Sequence, residues 1–419
     1  VSPPLDADRV VTLEDVEGAH ERVREVVHRT PLDRSTTFAG MSGAASVGLK
    51  LENLQRTGSF KIRGAYNAMS RLPAAERENG VVTASAGNHA QGVALAGDLL
   101  GIETTVVVPE VTPAAKVEAT RGYGARVVVE GDIYERAYEV ALERADEEGL
   151  AFVHPFDDSD VIAGQGTVAL ELLEQYPEVD TALVAVGGGG LISGIATVLE
   201  AHDPDIRVVG VQPEGALHAK PSLENDAIHE LPDVDTVAEG IADTRLLERT
   251  FAVMCERVDS VVAVSDRELT VALALLAERA KLVAETAGVA PLAALLSDRV
   301  DVGGEDVACV VSGGNVNLTE HGEFARAGLM VLGRYTEVRL EVADWPAALG
   351  EVTETIVDQG AELDAFERAD RSAADRPNRT PVRLGIEGSG PDHLDSVLDA
   401  LDGLAGVAVA DRDGHGRWN

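Results

Sequence analysis

The chain has 419 residues, enough for two or three packing units. A formal charge of −37 with 45% hydrophobic residues describes a folded, acidic chain with a large core. It argues against nucleic acid or an anionic membrane face as partner, since both are held by surplus Lys and Arg. Five lysines (50, 61, 116, 220 and 281) stand against 72 acidic residues, the pattern of a salt-adapted surface whose mutual repulsion concentrated salt screens. Cys255 and Cys309 are too few for a disulfide framework or a zinc cluster. No charged-then-apolar leader opens the sequence, and a cytoplasmic location is expected.

In chain order, Gly80–Thr83 reads as a strand, followed by a Gly/Asn turn and a small-residue helix from Ala90 to Leu100. Thr104–Val108 and Ala125–Val129 are further β-branched runs. Thr181–Leu199 carries no charge and is long enough to raise the question of a membrane span. Its four consecutive glycines instead fit a strand, a tight turn and a helix start. Val208–Val211 and Val307–Val311 complete a series of apolar strands separated by helical patterns. Such a series predicts β-α-β units in mostly parallel, doubly wound sheets, and there are enough strands for two α/β lobes. The expected catalytic region is 1–325, with a smaller lobe of about 41–150 inserted in a larger one.

From Arg334 the pattern changes. Val338, Leu340 and Val342 alternate with polar residues, Leu349, Val352 and Ile356 follow at helical spacing, and Ala361–Glu367 and Pro381–Glu387 read as strands around a polar loop, Asp370–Thr380. A second helix through Leu394–Leu401 and a strand at Val407–Ala410 make β-α-β-β-α-β, a ferredoxin-like unit over 334–419 with Arg326–Gly333 as linker.

Four segments carry chemistry. In Gly58–Ala65, Lys61 lies just inside a helix start among apolar and glycine neighbours, where desolvation and the helix dipole favour a neutral, nucleophilic amine. Ser85–Gly92 (SAGNHAQG) is a strand-to-helix turn at the sheet edge where α/β proteins bind ligands, and its Ser, Asn and N–H groups can hold a carboxylate. Gly187–Gly190 with Leu191 is an N–H-rich turn suited to a phosphate, though not a dinucleotide fingerprint. Ser312–Asn315 follows a buried strand and can reach the same cleft from its far side.

Together, in this order, the four segments resemble the pyridoxal-phosphate enzymes of the tryptophan synthase β type (fold type II), and most of all the threonine dehydratase branch, over residues 10–325. The resemblance implies pyridoxal 5'-phosphate as cofactor and Lys61 as the Schiff-base lysine. Phe60 would pack on the ring, Asn88 bond its hydroxyl, Gly187, Gly188, Gly189, Gly190 and Leu191 hold the phosphate, and Ser312 face the pyridine nitrogen. Ser85, Asn88 and His89 would meet the substrate carboxylate. Glu285 resembles an acidic residue near the ring edge. The implied reaction is deamination of L-threonine to 2-oxobutanoate, with L-serine to pyruvate beside it. Hydroxyaspartate dehydration, threonine synthesis, or an amino-acid-sensing regulator on an inactive scaffold stay open. Related serine racemases carry a hydroxyl where this sequence has Ala86, so racemisation is expected to be minor. They also bind a cation through a carboxylate where this sequence has Gln212, near His218, so no tight metal site is expected. The C-terminal unit resembles an ACT domain, the amino-acid-sensing module, with Asp344–Leu349 at the effector turn and Ala347 in place of its glycine. Such domains pair, which implies a homo-oligomer, a dimer or tetramer.

Overall fold

A computed structural model describes residues 11–368 and 378–413. They form two compact units. The first comprises the described residues up to Ala272 and Leu276–Val316; the second comprises Leu273–Leu275 and the described residues from Asn317 onward.

The first unit is organised by its β-branched runs. β1 (Leu32–Arg34), β2 (Ser46–Leu51), β7 (Thr181–Ala185), β8 (Arg207–Pro213), β9 (Ser260–Val264) and β10 (Asp306–Val311) form a sheet in the order β1-β2-β10-β7-β8-β9. All its pairings are parallel except that of the edge strand β1 with β2. β3 (Val81–Ala84), β4 (Thr104–Val108), β5 (Arg126–Val129) and β6 (Ala151–Phe152) form a second, wholly parallel sheet in the order β5-β4-β3-β6. Parallel strands need both faces covered, and the run through β7 is buried at every position. Each fully buried Val or Leu contributes about 1.5–3 kcal/mol, so these runs dominate the unit's stability.

β2 corrects one boundary: it pairs along its whole length with β10 in the larger sheet, so the smaller lobe begins after it and not near residue 41. Thr181–Leu199 resolves into β7, a glycine turn and the helix Gly190–His202. Among the described residues, no helix is long and apolar enough to cross a membrane.

Helices interlock the lobes through close backbone contacts. The helix Lys61–Arg71 crosses the helix Ser159–Gln175 so tightly that a Cβ on Gly164 would stand 2.6 Å from the Gly64 Cα. On its other side, a Cβ on Gly92 of the helix Asn88–Leu100 would stand 3.0 Å from the Lys61 carbonyl carbon.

Beneath this crossing lies a fully buried, charge-balanced quartet. Arg63 Nε bonds Glu52 Oε2 at 2.8 Å and its Nη1 bonds Glu171 Oε1 at 2.8 Å, while Lys50 Nζ bonds Glu171 Oε2 at 2.6 Å. Thr30 and Thr167 take up further hydrogen bonds from or to the group. Burial works against each charge, yet the two cations hold the Glu171 carboxyl below its ordinary range. Burial wins at Lys50, lowering its proton affinity, while at Arg63 the two carboxylates outweigh burial and raise it.

In the second unit, β11 (Tyr335–Val342), β12 (Glu362–Arg368), β13 (Thr380–Glu387) and β14 (Val407–Asp413) form an antiparallel sheet in the order β12-β13-β11-β14. The helices Leu349–Asp358 and Pro391–Asp402 complete the β-α-β-β-α-β connectivity, burying Val352, Ile356, Leu394 and Leu398 against Val338, Leu340, Leu384 and Ile386. Most of the loop read at Asp370–Thr380 lies outside the described residues. The stretch Arg326–Gly333 is not an open linker, because the helix Leu318–Val331 runs through most of it. Asn317 caps that helix by accepting from the Thr319 N–H; Gly322 and Gly328 dilute its apolar repeat, which hides it in the sequence.

Candidate functional site

Four helices begin at one end of the first unit's sheets: Lys61–Arg71, Asn88–Leu100, Ser159–Gln175 and Gly190–His202. Three of these starts, all but that at Ser159, carry or directly follow segments singled out in the sequence. The positive ends of helix dipoles gathered there favour a neutral amine and an anionic ligand.

Backbone pairing brings the first and fourth segments together. Ser59 and Gly313 form an antiparallel bridge, Phe60 N–H donates to Ser312 O at 3.2 Å, and Gly314 N–H donates to Gly58 O at 2.8 Å. Ser312 is thereby held beside Phe60 and Lys61. Asn315 Nδ2 donates to Asn88 Oδ1 at 2.7 Å, which joins the second segment to the fourth. Asn88 Nδ2 in turn donates to Glu285 Oε1 at 2.7 Å.

The glycine loop joins through a segment that the sequence reading passed over. After β6 the chain runs His154-Pro155-Phe156-Asp157. Lys61 Nζ donates to Pro155 O at 3.0 Å. The neighbouring Phe156 packs on the loop so closely that a Cβ on Gly188 would stand 2.4 Å from its ring. Gly189 has φ 87°, a left-handed conformation that glycine adopts without strain, and it caps the helix Gly190–His202. The whole loop is buried, and Leu191 joins the larger hydrophobic core.

His154 Nδ1 accepts the N–H groups of Phe156 and Asp157 at 3.2 and 2.8 Å, and Asp157 Oδ1 accepts from Thr250 N–H at 2.9 Å. Burial, with the Lys61 charge adding to it, drops His154 to about 3, so its ring is neutral at physiological pH.

Lys61, Asn88, Asp243 and Glu285 are each partly buried. Burial lowers the proton affinity of Lys61 against the pull of the Asp243 and Glu285 carboxylates. Burial pushes Glu285 up to about 7, opposed by the Asn88 hydrogen bond and the Lys116 and Lys61 charges. Asp243 is likewise raised by burial, opposed by the Lys61 charge and by the nearby Gly188 N–H. Sequence reasoning had no signal for Asp243, which lies in an irregular stretch without periodicity.

Of the expected carboxylate contacts, His89 is placed differently from Ser85. Ser85 Oγ lies in the turn and accepts the Gly87 N–H at 3.2 Å. His89 is 2% exposed and its Nε2 meets Val153 O at 3.1 Å, so its ring packs under the turn instead of reaching into the cleft. Burial, then the Lys61 charge, brings it to about 3. Gln212 and His218 face each other at 3.0 Å between side-chain nitrogens, and Gln212 also bonds Val186 O and the Ala219 N–H, which closes a buried network. Among the described residues, no three or more His, Cys, Asp or Glu side chains cluster as a metal site.

The family described as "Pyridoxal-phosphate dependent enzyme" matches residues 23–313. The chain is 43% identical to the L-threonine ammonia-lyase of Geobacter sulfurreducens over 390 residues, 93% of this chain and 96% of that protein. It is 42% identical to the L-threonine ammonia-lyase of Thermotoga maritima over 394 residues, 94% and 97% of the two chains. Among solved structures, the T.th. threonine deaminase superposes with a TM-score of 0.69 at 43% identity, covering 73% of this chain and 99% of that one. Maize serine racemase superposes with a TM-score of 0.73 at 37% identity, covering 75% of this chain and 97% of that one.

Proposed function

The chain belongs to the pyridoxal-phosphate dependent enzymes, and we propose that it deaminates L-threonine to 2-oxobutanoate and ammonia, with L-serine as a second substrate. The observation that carries this reading is the meeting of the Lys61 amine, the glycine loop and the Asn88–Glu285 pair in one cleft. The loop suits a phosphate: its glycines turn at Gly189, with φ 87°, straight into the start of the helix Gly190–His202, and the Phe156 ring bars a side chain at Gly188. Bound there, pyridoxal phosphate supplies an electron sink that eases loss of the α-proton and of the β-hydroxyl.

Lys61 would tether the cofactor and then move the α-proton at its Nζ, a role that its lowered proton affinity favours. Gly187–Leu191 would hold the phosphate and Phe60 would flank the ring. Asn88, its amide oriented by Asn315 and Glu285, would bond the ring hydroxyl. Ser312 would donate a neutral hydrogen bond to the pyridine nitrogen instead of a proton, which weakens the sink and favours elimination over transamination. Ser85 and the Asn88 turn would take the substrate carboxylate, with His89 supporting the turn from below. Ala86 offers no hydroxyl for reprotonation from the opposite face, so racemisation stays minor. Threonine and serine differ by one methyl, which a pocket separates by only about 1–3 kcal/mol, so both are used.

The second unit is proposed to be ACT-like, pairing with another copy and binding an amino-acid effector at the Asp344–Leu349 turn. A coupling of about 1–3 kcal/mol to the first unit is expected. Rates on L-threonine with and without isoleucine and valine test it, and unchanged rates with both rule out those effectors.

Borohydride reduction of the purified protein followed by peptide mapping tests the main reading. The label belongs on Lys61; a label on another side chain, or none, overturns it. Product formation from threonine, measured beside O-phosphohomoserine and hydroxyaspartate, separates this activity from related eliminations and replacements.

A further inference from the structure

Asp243 lies in the irregular stretch that follows the short turn Glu239–Ile241, and its carboxylate reaches the floor of the glycine loop. A Cβ on Gly187 would stand 2.5 Å from Asp243 Oδ2. The Gly188 N–H lies near enough to the same carboxylate to favour its charged form. Two titratable groups face it from other elements: Lys61 from the helix Lys61–Arg71 and Tyr134 from the helix Tyr134–Glu148. The loop itself presents only backbone.

This arrangement sets a conflict. A phosphate ester held by the glycine loop competes with the Asp243 carboxylate for the Gly188 N–H, and two anions held that close repel each other. A carboxylic acid resolves both problems, since it carries no charge and offers a donor where the carboxylate offers only acceptors. Burial already inclines Asp243 towards that form.

We propose that Asp243 is a cofactor-binding residue that acts as a neutral acid, taking up one proton from solvent as the phosphate enters and donating its O–H to a phosphate oxygen. The inference rests on the pyridoxal-phosphate reading above and adds to it a proton that cofactor binding consumes. Linkage then requires affinity to fall as pH rises, by up to tenfold per pH unit wherever the free protein has Asp243 ionised and the bound protein has it protonated.

The test uses the full chain stripped of cofactor with hydroxylamine and titrated with pyridoxal phosphate between about pH 6 and pH 9 at constant ionic strength. Absorbance reads the dissociation constant, and calorimetry in two buffers of different ionisation heat counts protons. The wild type is expected to take up as much as one proton more than Asp243→Asn, and to lose affinity with pH more steeply by up to tenfold per unit. Asp243→Ser, a smaller side chain, is expected to behave as Asp243→Asn does and guards against a folding defect in either variant. With pyridoxal, which lacks the phosphate, the difference between wild type and variants is expected to vanish. Equal proton counts and slopes in wild type and both variants overturn the proposal, and so does a difference that persists with pyridoxal. A wild type that binds no pyridoxal phosphate at all overturns the functional reading itself, which keeps the two failures apart.

Discussion

Asn88 Nδ2 donates to Glu285 Oε1 at 2.7 Å, tying the first residue of a small-lobe helix to a loop of the larger lobe. Because Asn88 Oδ1 accepts at the same time from Asn315, the amide has one orientation and presents one polar edge to the cleft. The pair also sets the electrostatics of the site, since the same bond restrains the rise in Glu285's proton affinity.

Glu285 gives a pH signature with a definite sign. It keeps its proton to about 7 in the fold, whereas the unfolded chain releases it near the ordinary 4.5. Its favourable contribution is therefore complete below the unfolded value and declines as pH rises through this window. Above the window the ionised group costs on the order of 1–3 kcal/mol, reduced by the water that reaches the cleft. Glu285→Gln should accordingly melt higher relative to the cofactor-free wild type at pH 8 than at pH 5. A melting-temperature difference that stays flat across this range contradicts the assignment.

Gly188→Ala should weaken pyridoxal phosphate binding by at least tenfold, or about 1.4 kcal/mol, because the new methyl meets the Phe156 ring and must move the loop or the ring. A spectrophotometric titration checks it. Affinity within twofold of wild type would mean that the loop does not hold the phosphate.

The buried quartet is expected to govern stability more than any surface ion pair. Removing one partner leaves an uncompensated buried charge, so Arg63→Met or Glu171→Gln should cost about 3–5 kcal/mol in urea unfolding. The Glu171 carboxyl, held below its ordinary range, adds stability at neutral pH that is lost as pH falls through its lowered value. A loss below about 1 kcal/mol for both substitutions would place the stability elsewhere.

Salt should stabilise this chain. With a charge of −37, repulsion among surface carboxylates acts in dilute buffer and is confined to about 3 Å at 1 M ionic strength. Melting temperature and activity on threonine should both rise with potassium chloride, and a melting temperature that falls or stays constant would contradict a salt-adapted surface.

The glycine loop, Lys61 and the SAGN turn were legible in the sequence because each is a continuous segment at a junction between a regular element and a turn. The parallel strands were legible because burial on both faces leaves unbroken β-branched runs such as Thr104–Val108. The partners of those segments were not. β6 has only two residues, so nothing announced that Pro155 would accept from Lys61 or that Phe156 would press on the glycines. Asp243 reaches the loop only through tertiary folding, from a stretch with no period to read. His89 shows the opposite error: Asn88 beside it meets Glu285 and Asn315, while the helix turn carries the His89 ring into the interior.

The crossing of Gly64 over Gly164, with Gly92 against the Lys61 backbone, has a kinetic consequence. Main chains packed at that range leave no slack for one helix to fray alone, so amides in the first turn of the Lys61 helix should exchange with deuterated water only when the whole lobe opens. The reactive nitrogen thus keeps its address for as long as the core survives.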